Sequence, residues 1–287
     1  MFGKLLKYDM KAIWRYWWII AVSTFGMSLV GGISMRFIVS SLSGEPGTIT
    51  ILLTILCFFL FFISILALSL SFFGTEILLF IRFYKNLFTD EAYLTFTLPV
   101  TRKQILISKT VNALFWTVLH SILLVISFML FFTLAVPSSE MANTLSGGVM
   151  TLLFYELKTI IDFLGIWSAV YAIEAILFFI LYMLFIINLI HMCITIGSVI
   201  AKKHKVLASI GIYYACSCVV SIIMYVGMFI VMSAGAGLGA LMVEESFGTI
   251  NSVLSLVFLV VCAIFASLAS ITYSITQQLI DRKLNLA

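Results

Sequence analysis

Three histidines, His120, His191 and His204, and a few serines and cysteines are the residues here whose types could support catalysis or metal binding. None stands in a spacing that such chemistry requires. A zinc-protease helix needs Glu directly after its first His, and the three histidines are followed by Ser121, Met192 and Lys205. No Gly-x-Ser-x-Gly elbow occurs; Gly26-Met27-Ser28 is a near miss, and Ser28 with His120 is the best serine–histidine dyad the chain offers. A serine in an apolar helix ordinarily bonds its own backbone, so Ser28 reads first as structural. Cys57, Cys193, Cys216, Cys218 and Cys262 all fall in apolar runs, without the paired spacing of a disulfide framework or a zinc site. The Gly3-Lys4 pair is followed by Leu5 rather than the Ser or Thr that binds magnesium in a phosphate loop. No catalytic, metal or cofactor site is therefore assigned, and any ATP chemistry would belong to another chain.

Ionisable residues within apolar stretches are costly and demand a reason. His120 lies about ten residues into its stretch and Glu174 about eight into the next from the opposite side, roughly the same depth at 1.5 Å per residue. A pair between them is expected, with helix packing as its first role and a substrate or proton role as the alternative. Glu76, near one end of its stretch, is expected to meet Arg82 or Lys109.

The elements that must hold these residues are membrane helices. Apolar residues make up 63% of the 287 residues and charged residues 10%, against about 25% charged in a soluble domain. A soluble globule has no means of covering such a surface, whereas lipid accepts it as helices of about 20 residues. Six stretches meet that length, near 17–39, 51–76, 110–135, 166–198, 206–232 and 252–276, the fourth over-long and so tilted or projecting. The fold class is all-α, a single polytopic transmembrane domain. Lys4, Lys7, Lys11 and Arg15 at helical spacing make 1–15 an interfacial helix rather than a cleaved signal peptide. Residues 149–163 read as a helix on the outer surface, and the glycine-rich 233–251 as a re-entrant hairpin or a loop.

Orientation follows from Lys and Arg in the connections. One side carries Lys4, Lys7, Lys11, Arg15, Arg82, Lys85, Arg102, Lys103, Lys109, Lys202, Lys203, Lys205, Arg282 and Lys283, and the other only Arg36 and Lys158. Both termini are therefore expected in the cytoplasm. The net charge of +4 reflects that asymmetry, so it indicates neither a nucleic-acid partner nor the charge of a cargo.

The one long inner loop, 82–109, interleaves five basic residues, Asp90 and Glu91 with Phe83, Tyr84, Phe88, Tyr93 and Phe96, a mixture suited to docking a cytosolic partner. Pro99 separates two helical pieces, and Thr101-Arg102-Lys103-Gln104 has the form of a capping box opening the second. Tyr84, Lys85, Phe88, Asp90, Glu91, Tyr93, Phe96 and Arg102 are the candidate docking residues.

Asp90-Glu91, Tyr93-Leu94, Leu98-Pro99-Val100-Thr101-Arg102, Ile105-Leu106 and Lys109 together resemble the coupling loop of the permease subunits of ATP-binding-cassette exporters, type-two permease family. Ala92 stands where that family commonly has a glycine. The six-span layout and basic leading helix are similar to the family over nearly the whole chain. The resemblance implies a pathway formed by two permease chains in a plasma membrane, bacterial by expectation. It also implies cytosolic ATPase subunits, carrying ATP and magnesium, docked on each inner loop and driving alternating access. An intramembrane enzyme using His120, or a sensor or immunity subunit of such a complex, are the alternatives.

Overall fold

A computed structural model describes residues 2–42, 47–135, 149–201, 203–241 and 247–283, and these residues form eight α-helices. They are α1 (Phe2–Leu42), α2 (Thr48–Phe88), α3 (Glu91–Phe96), α4 (Arg102–Ala135), α5 (Val149–Leu164), α6 (Ile166–Ile200), α7 (Lys205–Leu241) and α8 (Phe247–Lys283). Six of them, all but α3 and α5, contain stretches long and apolar enough to cross a membrane, so the chain is an all-α, multi-pass membrane protein.

The basic leading segment and the first span are one uninterrupted 41-residue helix. No Gly-Ser pair or Pro separates Arg15 from Trp17, so nothing breaks the backbone ladder between the interfacial and the spanning parts. At 1.5 Å per residue α1 is about 60 Å long, twice the hydrocarbon thickness. Helix α2, also 41 residues, likewise runs on through Arg82 and Lys85.

The turn between α5 and α6 rests on Gly165, whose φ of +58° suits glycine. Its N–H donates to the carbonyl of Ile161 at 2.8 Å. Helix α5 covers the stretch 149–163 that was expected to be helical. In the glycine-rich stretch 233–241 continues α7 as helix rather than loop, while 242–246, where a hairpin would turn, lie outside the described residues. Glycines weaken a helix by roughly 1 kcal/mol each, which the surrounding apolar sequence tolerates.

The chain divides into two compact units: Met1–Phe2, Arg82–Thr110 and Ile166–Ala287 form the first, and Gly3–Ile81 and Val111–Gly165 the second. In the first, α6 packs against α7 and α8. Phe185, Leu189, Met192 and Cys193 of α6 meet Phe265 and Ala269 of α8 in its buried core. The approach to α7 is closest at Gly197, where a Cβ would lie 2.6 Å from the Cα of Ser209; small residues permit such crossings in lipid. In the second unit Gly31 and Gly32 of α1 play the same part, and a Cβ on Gly32 would lie 2.8 Å from the carbonyl oxygen of Phe131.

Candidate functional site

The loop between α2 and α4 is built on its own anchors. The N–H of Thr101 donates to Gln104 Oε1 at 3.1 Å and the N–H of Gln104 to Thr101 Oγ1 at 3.2 Å, so the capping box is formed and α4 starts at Arg102. Helix α3 starts after Asp90, whose side chain makes no capping bond, and the N–H of Ala92 donates to the Thr89 carbonyl at 2.8 Å. Ala92 is buried, and no residue of this turn has positive φ, so the turn has no need of glycine there.

The loop's aromatic residues separate into two groups. Phe83 and Leu87 are buried, and the Phe83 ring stacks on His191 of α6 with centroids 3.8 Å apart and planes at 13°. Phe88 is half-buried, 6.0 Å from Phe83 and 6.2 Å from Tyr84. Tyr93 and Leu94, by contrast, are 67% and 69% exposed, with Leu98 also exposed beside Pro99. The outer apolar surface of the loop is thus Tyr93, Leu94 and Leu98, while Phe88 packs with Phe83 and Tyr84. Leu94 and Leu98 are absent from the residues singled out by sequence, because aromatic and charged types drew the selection and single leucines in an apolar chain give no contrast.

The charged residues are also divided between anchoring and display. Arg102 donates from Nη1 to the carbonyls of Ile280 at 2.9 Å and Asp281 at 3.0 Å, and its guanidinium carbon lies 5.5 Å from the centre of the Phe96 ring. Arginine is well suited here, since the C-terminal carbonyls of α8 carry the negative end of the helix dipole. With its amide oriented to satisfy both neighbours, Asn86 donates to Glu91 Oε2 at 3.0 Å and accepts from Lys109 Nζ at 2.7 Å. Lys85 and Asp90 are exposed. Arg102 and Glu91 therefore brace the loop internally, while Lys85, Asp90 and Tyr93 remain outward.

Below the loop, in the same unit, Thr110 Oγ1 donates to Asn188 Oδ1 at 3.4 Å and Asn188 Nδ2 donates to the Ala269 carbonyl at 3.2 Å. These bonds tie α4, α6 and α8 together. Sequence reasoning did not single out Asn188 and weighed His191 only as a catalytic or metal-binding type; an isolated polar residue in a long apolar run is the signal that marks them.

The intramembrane ionisable residues find partners within their own units. Glu174 accepts a hydrogen bond from Ser255, and Tyr171 OH donates to Asn251 Oδ1 at 2.7 Å one turn away, again joining α6 to α8. In the other unit His120 Nε2 lies 3.3 Å from Ser71 Oγ, and Glu76 Oε1 accepts from Thr117 at 2.7 Å. Each of the three thus has a hydroxyl neighbour inside its own unit, Ser255 for Glu174, Ser71 for His120 and Thr117 for Glu76.

A serine–histidine dyad gains little from this geometry. Ser28 Oγ donates to the Phe25 carbonyl at 2.7 Å, the structural role expected of it. Ser71 Oγ donates to the Leu68 carbonyl at 2.7 Å, so its single proton points away from His120. No group of three or more His, Cys, Asp or Glu suited to a metal occurs among the described residues. Comparison with protein-family models, with curated proteins and with solved structures gives no match to this chain.

Proposed function

We propose that the chain is the membrane-spanning subunit of an ATP-binding-cassette transporter, an exporter by its resemblance, working as a pair of permease chains with separate cytosolic ATPase subunits. The observation that carries this reading is the braced loop between α2 and α4. Tyr93, Leu94 and Leu98 are exposed on it while Phe83, Leu87 and Ala92 are buried. Exposed apolar side chains on a rigid, polar-rimmed platform suit a protein partner better than lipid, because Lys85, Asp90 and Glu91 rim them.

In this reading the ATPase docks on α3. Asn86, Glu91 and Lys109 link the end of α2 through α3 to α4, and Arg102 links the start of α4 to the end of α8. A push on α3 is thereby delivered to three spanning helices rather than lost in a flexible loop, the kind of connection that nucleotide-driven alternating access requires. In this reading both termini and this loop face the cytoplasm, an orientation supported by the placement of Lys and Arg, and the resemblance implies a bacterial plasma membrane.

The test is to purify the tagged chain from its native membranes in a mild detergent and probe it with a photoreactive ATP analogue. A labelled polypeptide distinct from the tagged chain should accompany the parent and be lost from a Tyr93→Asp, Leu94→Asp double variant that still inserts. If no nucleotide-binding polypeptide accompanies the parent, the proposal fails.

A further inference from the structure

Glu76 and His120 belong to a group of polar side chains that α1, α2 and α4 bring together inside the second unit. Trp17 and Trp116 lie with ring centroids 5.0 Å apart, and Trp17 meets the edge of the His120 ring at 6.4 Å. His120 reaches Ser71, and Thr117, three residues before it on α4, reaches Glu76. Thr75 stands one helical turn from Ser71 and next to Glu76.

Trp17, Thr75, Trp116 and His120 are each nine-tenths or more buried. Five atoms of the group have no protein partner: Trp17 Nε1, Thr75 Oγ1, Glu76 Oε2, Trp116 Nε1 and His120 Nδ1. Their chemistry is complementary. Because the Ser71 proton goes to Leu68, the 3.3 Å contact places the hydrogen on His120 Nε2 and leaves Nδ1 a bare acceptor. The two indoles can only donate, and the free carboxyl oxygen of Glu76 and the Thr75 hydroxyl complete the set. Within a membrane no solvent is available to satisfy such atoms, so they must be met internally. Small guests that both donate and accept answer them, and water, which takes two to four polar partners each, is the smallest.

We propose that this cluster is a hydrated site buried among α1, α2 and α4, through which Glu76 and His120 exchange one proton. Waters accept from the indoles of Trp17 and Trp116, and the one between the titratable pair accepts from the protonated Glu76 carboxyl at Oε2 and donates to His120 Nδ1. In the exchange the protonated Glu76 carboxyl gives its proton to the water, which gives one of its own to Nδ1. The carboxyl O–H bond breaks, an imidazole N–H bond forms, and the water is returned unchanged, leaving carboxylate and imidazolium. Glu76 from α2 and His120 from α4 are the titratable groups of the site; Arg15 and Tyr16, the neighbours of Trp17 on α1, are exposed. This inference does not depend on the transporter reading.

The test uses the full chain in lipid bilayers with nitrogen-15 in tryptophan and histidine, measuring magnetisation transfer from water by solid-state NMR. With five tryptophans and three histidines the signals are few enough to assign. The indole N–H groups of Trp17 and Trp116 should receive water magnetisation despite their burial. Thr75→Val, close in shape, should slow that transfer while leaving both signals in place. Glu76→Gln, which can still accept from Thr117, should change the pH dependence of the His120 nitrogen signals and leave those of His204 alone. Dry indoles at Trp17 and Trp116 in the parent would overturn the site, and a His120 signal indifferent to Glu76→Gln would overturn the exchange.

Discussion

Replacing Arg102 by Ala removes two charge-assisted hydrogen bonds, at 2.9 and 3.0 Å, from the last carbonyls of α8. A hydrogen bond to a charged group contributes about 1.5–3 kcal/mol when well shielded, and a half-exposed guanidinium is worth less because solvent competes. About 1 kcal/mol for each bond, roughly 2 kcal/mol together, is a reasonable size. Since 1.4 kcal/mol is tenfold in an equilibrium constant, the last turn of α8 should open on the order of 30 times more often. Hydrogen exchange with mass spectrometry on peptides covering 274–283 reads this directly, with 185–195 in the buried part of α6 as the internal reference. Arg102→Lys should fall between parent and Ala, because a single ammonium keeps the charge near the helix end without the planar fork. Equal exchange in the parent and Arg102→Ala would refute the claim that Arg102 fastens the loop to α8.

Gly197→Leu should lower the melting temperature in detergent, by an amount corresponding to about 1–3 kcal/mol of overpacking, because a side chain there collides with the backbone of Ser209; an unchanged melting temperature would mean that α6 and α7 do not cross at this point. Thr101→Ala should cost about 1 kcal/mol through loss of the capping box, seen as faster exchange over 102–106 and not elsewhere. For Glu174 and Ser255, a double-mutant cycle of Glu174→Gln with Ser255→Ala should give a coupling of about 0.6–1.7 kcal/mol, the range of hydrogen bonds between membrane helices; additive effects would show that the two act independently. Cysteines placed at 90 and 140 in a cysteine-free background should be labelled from outside only at 140, and labelling at 90 would reverse the orientation assigned from the basic residues.

Features set by local sequence were legible in advance. The six apolar stretches, the helix at 149–163 and the Thr101–Gln104 box depend on residues a few positions apart, and the helices contain them. Helix ends were less legible, because apolarity marks where lipid begins and not where the backbone ladder stops; α1, α2 and α4 all run past their apolar cores. The segment at 233–241 misled because glycine signals a turn by preference only, and a neighbouring helix of apolar residues can extend through it. Partners far apart in sequence were the least legible. Glu174 and Ser255 are 81 positions apart, as are Asn188 and Ala269, and which face of each helix meets which neighbour depends on packing that no spacing rule encodes. The same limit separated Phe83 from Tyr93: both are loop aromatics, and only the stacking of Phe83 on His191 assigns one to the core.

The docking role of α3 is tested most directly by proximity in the intact complex. A photo-crosslinking amino acid at position 94, which is exposed, should join the chain in native membranes to a polypeptide that also carries a photoreactive ATP label, whereas the same group at the buried position 87 should not. A nucleotide-labelled adduct from 94 alone is the result expected if an ATPase sits on this loop. Adducts from 94 only to lipid or to a second copy of the chain would contradict it.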